Sequence, residues 1–249
     1  MKIEDYLAEG GILTAPGNAP PRYRAELLRL MATFVDSELA GAAGFADAIN
    51  WGPGIKERIA ASRIVLEKTD NADKVLAIMG EFGANTVRYV SHHPWTARLE
   101  RGADIGATRI DGDMRLSVFN YPLAGWPDAV VMNLLMGRAV GVQLDEFSQV
   151  SYQPLAEAFR AIAPIEERHA ELALEGLDRL LDTGTDRADL QASVDYWWPR
   201  VATSFGSDAS ARAEQLKAYG LRHSLNTDLR KRWEAGISVE LAELGLETP

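Results

Sequence analysis

The segment YQPLAEAFRAIAPIEERHAELALEGLDRLLD, residues Tyr152–Asp182, decides the fold. Its core-facing positions recur at alternating steps of three and four: Leu155, Phe159, Ile162, Glu166, His169, Ala173. That period belongs to an amphipathic α-helix. Glu166 and His169 interrupt the apolar seam at its middle, with Ile162 on one side and Ala173 on the other.

Three further segments read the same way. A helix over about Tyr23–Ala48 has the seam Leu28, Met31, Val35, Glu38, Ala42, Phe45. One over about Ile55–Gly83 has Ile64, Lys68, Asn71, Val75, Ile78, Phe82. One opened by Pro127 and Asp128 and running to about Val150 has Val130, Leu134, Gly137, Gly141, Leu144. Four long helices with inward seams predict an all-α helical bundle. Additional helices are expected over about Asn85–Arg101, Asp186–Phe205, Asp208–Gly220 and Asn226–Leu244. A short strand or hairpin is expected around Arg109–Val118. Residues 1–21 carry Gly10, Gly11, Pro16, Gly17, Pro20 and Pro21 and read as an extended arm. Residues 22–249 read as a single domain, with no linker rich in Ser, Pro and Gly.

Composition narrows the function. The chain has 249 residues and a net charge of -10, which disfavours a phosphate backbone as partner. No apolar run approaches the ~20 residues needed to span a bilayer. Met1–Pro21 lacks a basic-then-apolar signal, so the cytoplasm is the expected location. With no cysteine, thiolate metal sites and disulfides are excluded. With four histidines, any metal site must rely mostly on carboxylates. His92 and His93 sit beside Pro94 at a helix end, where an exposed or capping role is expected.

Three helices therefore place polar groups mid-seam: Glu38, then Lys68 and Asn71, then Glu166 and His169. A buried ion costs several kcal/mol unless paired or bound to metal. Glu166-x-x-His169 puts two ligating side chains on one helix face, a spacing that recurs in carboxylate-bridged di-iron bundles.

The chain also contains a run of local words: Arg22-Tyr23-Arg24, Ser37-Glu38, Phe119-Asn120-Tyr121-Pro122, Ser151-Tyr152-x-Pro154, Trp197-Trp198-Pro199 and Phe205-Gly206. With Glu166-x-x-His169, these resemble the phenylacetic acid catabolic family of ferritin-like proteins. The likeness is greater to the catalytic subunits of its phenylacetyl-CoA epoxidases than to their metal-free partners. The resemblance implies a ferritin-like bundle with additional C-terminal helices and a di-iron centre that epoxidises an aromatic CoA thioester. It also implies a homologous partner subunit. Glu38, Glu166 and His169 match family ligands. The second helix's ligand pair falls on Lys68 and Asn71, and the fourth helix's carboxylate on Met136 or Gly137.

Glu67 and Asp70 have ligand spacing, but they share a stripe with Arg63 and Lys74 that reads as solvated. The expectation is a degenerate site built from Glu38, Lys68, Asn71, Glu166 and His169. It holds no full di-iron centre and either no metal or a single iron or manganese on Glu38, Glu166 and His169. Three functions remain open. The chain is a member of an oxygenase that works on aromatic CoA thioesters, a non-catalytic scaffold paired with a homologue or itself, or a binder of an acyl-CoA or hydrophobic acid. In the last case Gly137 and Gly141 would open a cavity, though close helix contact also explains them. Lys56, Arg58 and Arg63 are candidate phosphate contacts.

Overall fold

The computed structural model describes residues 2–91, 93–110, 112–207 and 211–249. Among them are nine α-helices: α1 (Ile3–Ala8), α2 (Pro21–Ala48), α3 (Ile55–Glu81), α4 (Thr86–Ser91), α5 (Trp126–Phe147), α6 (Gln153–Asp182), α7 (Arg187–Ala202), α8 (Ala211–Ala218) and α9 (Asn226–Glu243). The all-α expectation holds. The one β feature among the described residues is an isolated bridge between Leu13 and Tyr152. Among these residues no helix is long and apolar enough to cross a membrane.

Four helices form the bundle. Short turns join α2 to α3 and α5 to α6, so each pair lies side by side. A long crossover, residues 82–125, connects the pairs, and α3 packs on α6. Prolines start three of the four: Pro21, Pro127 and Pro154 sit in first turns, where a missing N–H loses no helical bond. Gly125, at φ 101, makes the sharp entry into α5 that a side chain would resist. Outside the bundle, α7 and α9 pack on α5. There Trp197 and Trp233 are fully buried and Trp198 nearly so, as core residues.

Three local expectations are corrected. The third helix, expected to reach Arg101, stops at Ser91. Pro94 lies just beyond; it lacks an N–H and bars helical geometry at the residue before it. No strand forms among the described residues of Arg109–Val118. A buried guanidinium, Arg115, takes the carbonyl oxygens of Pro94, Trp95 and Ala97 and the Asp113 carboxylate instead. One side chain thus satisfies the backbone acceptors of the neighbouring 94–97 segment and ties the two stretches together without a ladder. The N-terminal arm is helical over Ile3–Ala8, with Glu4 and Asp5 in the first turn, before it runs out to Leu13. His92 and the start of the Asp208–Gly220 helix lie outside the described residues. His93 is only partly exposed, with Nδ1 3.8 Å from Asp36.

Asp36 anchors the crossover to α2. Fully buried, it accepts from Tyr89 Oη at 2.8 Å, Trp95 Nε1 at 3.3 Å and the Met114 N–H at 2.6 Å. Asp36→Ala leaves these donors unpaired and should cost about 2–4 kcal/mol. The checks are urea unfolding and faster proteolytic cutting between residues 93 and 116. Unchanged stability and cutting would show that the crossover is held elsewhere.

Candidate functional site

The heptad-like spacing that buries Val35 and Ala42 on α2 also buries Glu38 between them. On α3 the same phase buries Lys68 and Asn71, and on α6 Glu166 and His169. All five side chains singled out in the sequence meet in the bundle core. Lys68 Nζ donates to Glu166 Oε2 at 2.8 Å and to Glu38 Oε1 at 3.2 Å. Asn71 Nδ2 donates to Glu166 Oε1 at 2.9 Å, and His169 Nδ1 lies 3.4 Å from that same oxygen. Glu38 Oε2 is buried without a hydrogen-bond partner.

Glu67 departs from expectation. Asp70, Arg63 and Lys74 are exposed, as the solvated stripe requires. Glu67 instead leans across the α3–α6 seam, and its Oε2 lies 2.7 Å from His169 Nε2. Its Cα sits about 100° around the helix from that of Lys68, but a long, partly buried side chain spans that offset. Gly137 follows the contact reading, whereas a Cβ at Gly141 would meet only the Glu167 carboxylate, at 3.6 Å. A Cβ at Gly137 would lie 2.9 Å from that of Ala170, so α5 and α6 close together there. Met136, also on α5, is buried and offers no carboxylate.

One ammonium faces two carboxylates, and they respond differently. Burial and the Glu166 charge push the Glu38 carboxyl up to about 8, with Lys68 offsetting only part of this. Burial also acts against ionised Glu166, but Lys68 and then His169 outweigh it and hold Glu166 well below the usual carboxylate range. Burial pulls the Lys68 ammonium down, and the charges of Glu166 and Glu38 more than reverse this. These opposite shifts favour a Lys68–Glu166 ion pair with the proton held on Glu38.

Glu38 also lines a cavity of about 320 Å³. Its apolar walls include Phe34, Phe119, Met136, Val140, Leu144 and Phe147, while Arg29, Arg109 and Arg212 stand at the solvent side. Lys56, Arg58 and Arg63 do not line it. Arg58 instead bonds the carbonyl oxygens of Gly52 and Asn50. Sequence reading missed the cavity arginines because they lie on separate elements far apart in the chain.

Residues 11–249 match the family described as phenylacetic acid catabolic protein. The chain belongs to that family. It is 24% identical over 253 aligned residues to the A component of the 1,2-phenylacetyl-CoA epoxidase of Escherichia coli (strain K12). That alignment covers the whole of this chain and 76% of the relative. The family words read from the sequence fall on structural positions of this chain. Asn120 is buried at the end of the crossover, and its carbonyl accepts from the Leu99 N–H at 2.7 Å. Ser151 bonds Tyr23 Oη at 2.8 Å, tying the start of α2 to the entry of α6. Trp197 Nε1 donates to Asp128 at 3.0 Å and so fixes α7 on α5. Asn120, Ser151 and Trp197 hold the scaffold, whereas Glu38, Lys68 and Glu166 form its centre.

Proposed function

We propose that the chain acts in aromatic CoA-thioester catabolism as a subunit whose lysine–carboxylate cluster replaces the family's di-iron centre. The Lys68 ammonium carries this reading. It stands 2.8 Å and 3.2 Å from the two carboxylates that a cation would bridge. Octahedral metal pairs sharing carboxylates need more donors than Glu38, Glu166 and His169 supply, even with Glu67, whose Oε2 already lies 2.7 Å from His169 Nε2. Asn71 occupies another ligand position as an amide and spends its N–H on Glu166. The residues present do not fit a di-iron centre. A single iron or manganese would first have to displace Lys68 against its repulsion.

The cavity beside Glu38 supports a retained role in holding an aromatic thioester. The relative is one component of an epoxidase, which supports a homologous partner or a second copy of this chain. The test is iron, manganese and zinc content after chelator-free purification from iron-supplemented cells. The expected result is well below one metal per chain, together with binding of phenylacetyl-CoA. Close to two irons per chain, with ring-oxidised product when reductase and oxygen are supplied, would overturn the metal-free reading. Purification with and without a co-expressed homologue tests the partner, and a lone monomer in both would argue against pairing.

A further inference from the structure

Three large apolar side chains of α3 face solvent: Ile55 is 72% exposed, Ile59 54% and Leu66 62%. At 100° per residue they lie within about 40° of one another, opposite the row that buries Lys68 and Asn71. Single exposed apolar residues are ordinary, but three in line on one helix make a patch. Lys56, Arg63 and Asp70, all exposed, follow at seven-residue steps and form the row beside them.

The charges on α3 divide by their partners. Glu57 faces Arg179 at 3.7 Å, Arg58 bonds the carbonyl oxygens of Gly52 and Asn50, Glu67 reaches His169, and Lys74 stands 3.4 Å from Asn71 Oδ1. Lys68 belongs to the core. Among the described residues, Lys56 and Arg63 in the first half, and Asp70, Asp73 and Glu81 in the second, have no ion pair. By contrast, Arg168 on α6 is neutralised by Glu171 and Glu175, and Arg230 on α9 by Glu234. Lys56 in the first turn and Glu81 in the last also stand against the helix dipole, so this order of charges does not serve α3 itself. A helix that is basic in its first half and acidic in its second is complementary to an antiparallel copy of itself.

We propose that the outer face of α3 is a self-pairing surface, on which a second copy of this chain docks antiparallel about a two-fold axis near Ser62 and Arg63. The assignment rests on the reading above that the chain works with a partner, and it names the face and the occupant. One register sets Ile59 level with Leu66 of the second copy and Lys56 level with its Thr69 and Asp70, and the two-fold axis makes each contact twice. Arg63 meets its own copy at the axis, a repulsion that works against the pairing. One side of a 27-residue helix presents roughly 400 Å², less than the roughly 800 Å² per partner of a standard interface. The dimer therefore belongs to the weak, reversible class.

Sedimentation of the purified chain over a concentration series reads the pairing directly. The wild type should pass from monomer to dimer in the micromolar range. Leu66→Glu and Ile59→Glu should each weaken the dimer by at least about tenfold, with unfolding midpoints unchanged because both side chains are exposed. Lys56→Glu should weaken it severalfold, and adding Asp70→Lys to the same chain should restore it. The chain has no cysteine, so Ser62→Cys should cross-link through a short bis-maleimide. Ala77→Cys, roughly 20 Å from the axis along each helix, should not. A dimer untouched by Leu66→Glu and Ile59→Glu would overturn the α3 face and leave the partner reading standing. A chain that is monomeric alone yet sediments with a co-expressed homologue would overturn self-pairing and again leave that reading standing. Monomer in both settings would overturn both. A dimer lost in Lys56→Glu and not recovered with Asp70→Lys would overturn the antiparallel register.

Discussion

Replacing Lys68 with alanine or methionine should destabilise the protein by about 3–5 kcal/mol near neutral pH, the range for breaking a buried ion pair. Lys68 is 7% exposed and donates to each of two buried carboxylates, at 2.8 Å and 3.2 Å. Without it, Glu166 keeps Asn71 and His169 but loses the charge that holds it ionised. Methionine has suitable packing volume, so its failure would isolate charge from cavity formation. Adding Glu166→Gln to Lys68→Met should recover much of the loss, since a neutral buried pair carries no unpaired charge. Urea unfolding of the four proteins is the measurement. Equal midpoints for the wild type and both single variants would show that the pair contributes nothing.

The centre of this cluster was legible because helical phase is a strong constraint. On α6 the six seam positions from Leu155 to Ala173 are all buried, so Glu166 and His169 had to point inward. Lys68 and Asn71 followed from Ile64 and Val75 in the same way. The family words added the expectation of a ligand site at those positions. Its periphery was not legible. Glu67 lies one position from the seam and reaches His169 only through side-chain length, which periodicity does not encode. Asp36 and Arg115 organise an irregular crossover, where no repeat announces which side chain meets which carbonyl. Arg29, Arg109 and Arg212 come together only after the crossover and α8 have been laid against α2.

Stability should also fall as pH rises from about 4.5 toward about 8, and Glu38 should be the cause. Its ordinary value is 4.5, and in the folded protein it rises to about 8. Between those values the folded state holds a proton on Glu38 that the unfolded state has released. The folded state binds more protons, so raising pH favours unfolding. Glu38's contribution is fully present below its unfolded value and is lost as pH passes through its folded value. Glu166 has the opposite sign: its contribution is present above the ordinary carboxylate value and is lost in acid, below the Glu38 window. Lys68, raised, loses its contribution only above the ordinary lysine value of 10.5. Of these three groups, only Glu38 titrates in the middle window. One proton gives a slope of up to about 1.4 kcal/mol per pH unit, so the change between pH 5 and 7.5 is on the order of 3 kcal/mol. Other titrating groups contribute to the wild-type curve, which makes Glu38→Gln the discriminating comparison. Glutamine imitates the neutral carboxyl and still offers an oxygen to Lys68, so it should fold and lose this slope. The measurement is urea unfolding of both proteins at half-unit steps from pH 5 to 8. Parallel curves would mean that Glu38 is ionised throughout, and that Lys68 holds both carboxylates as anions.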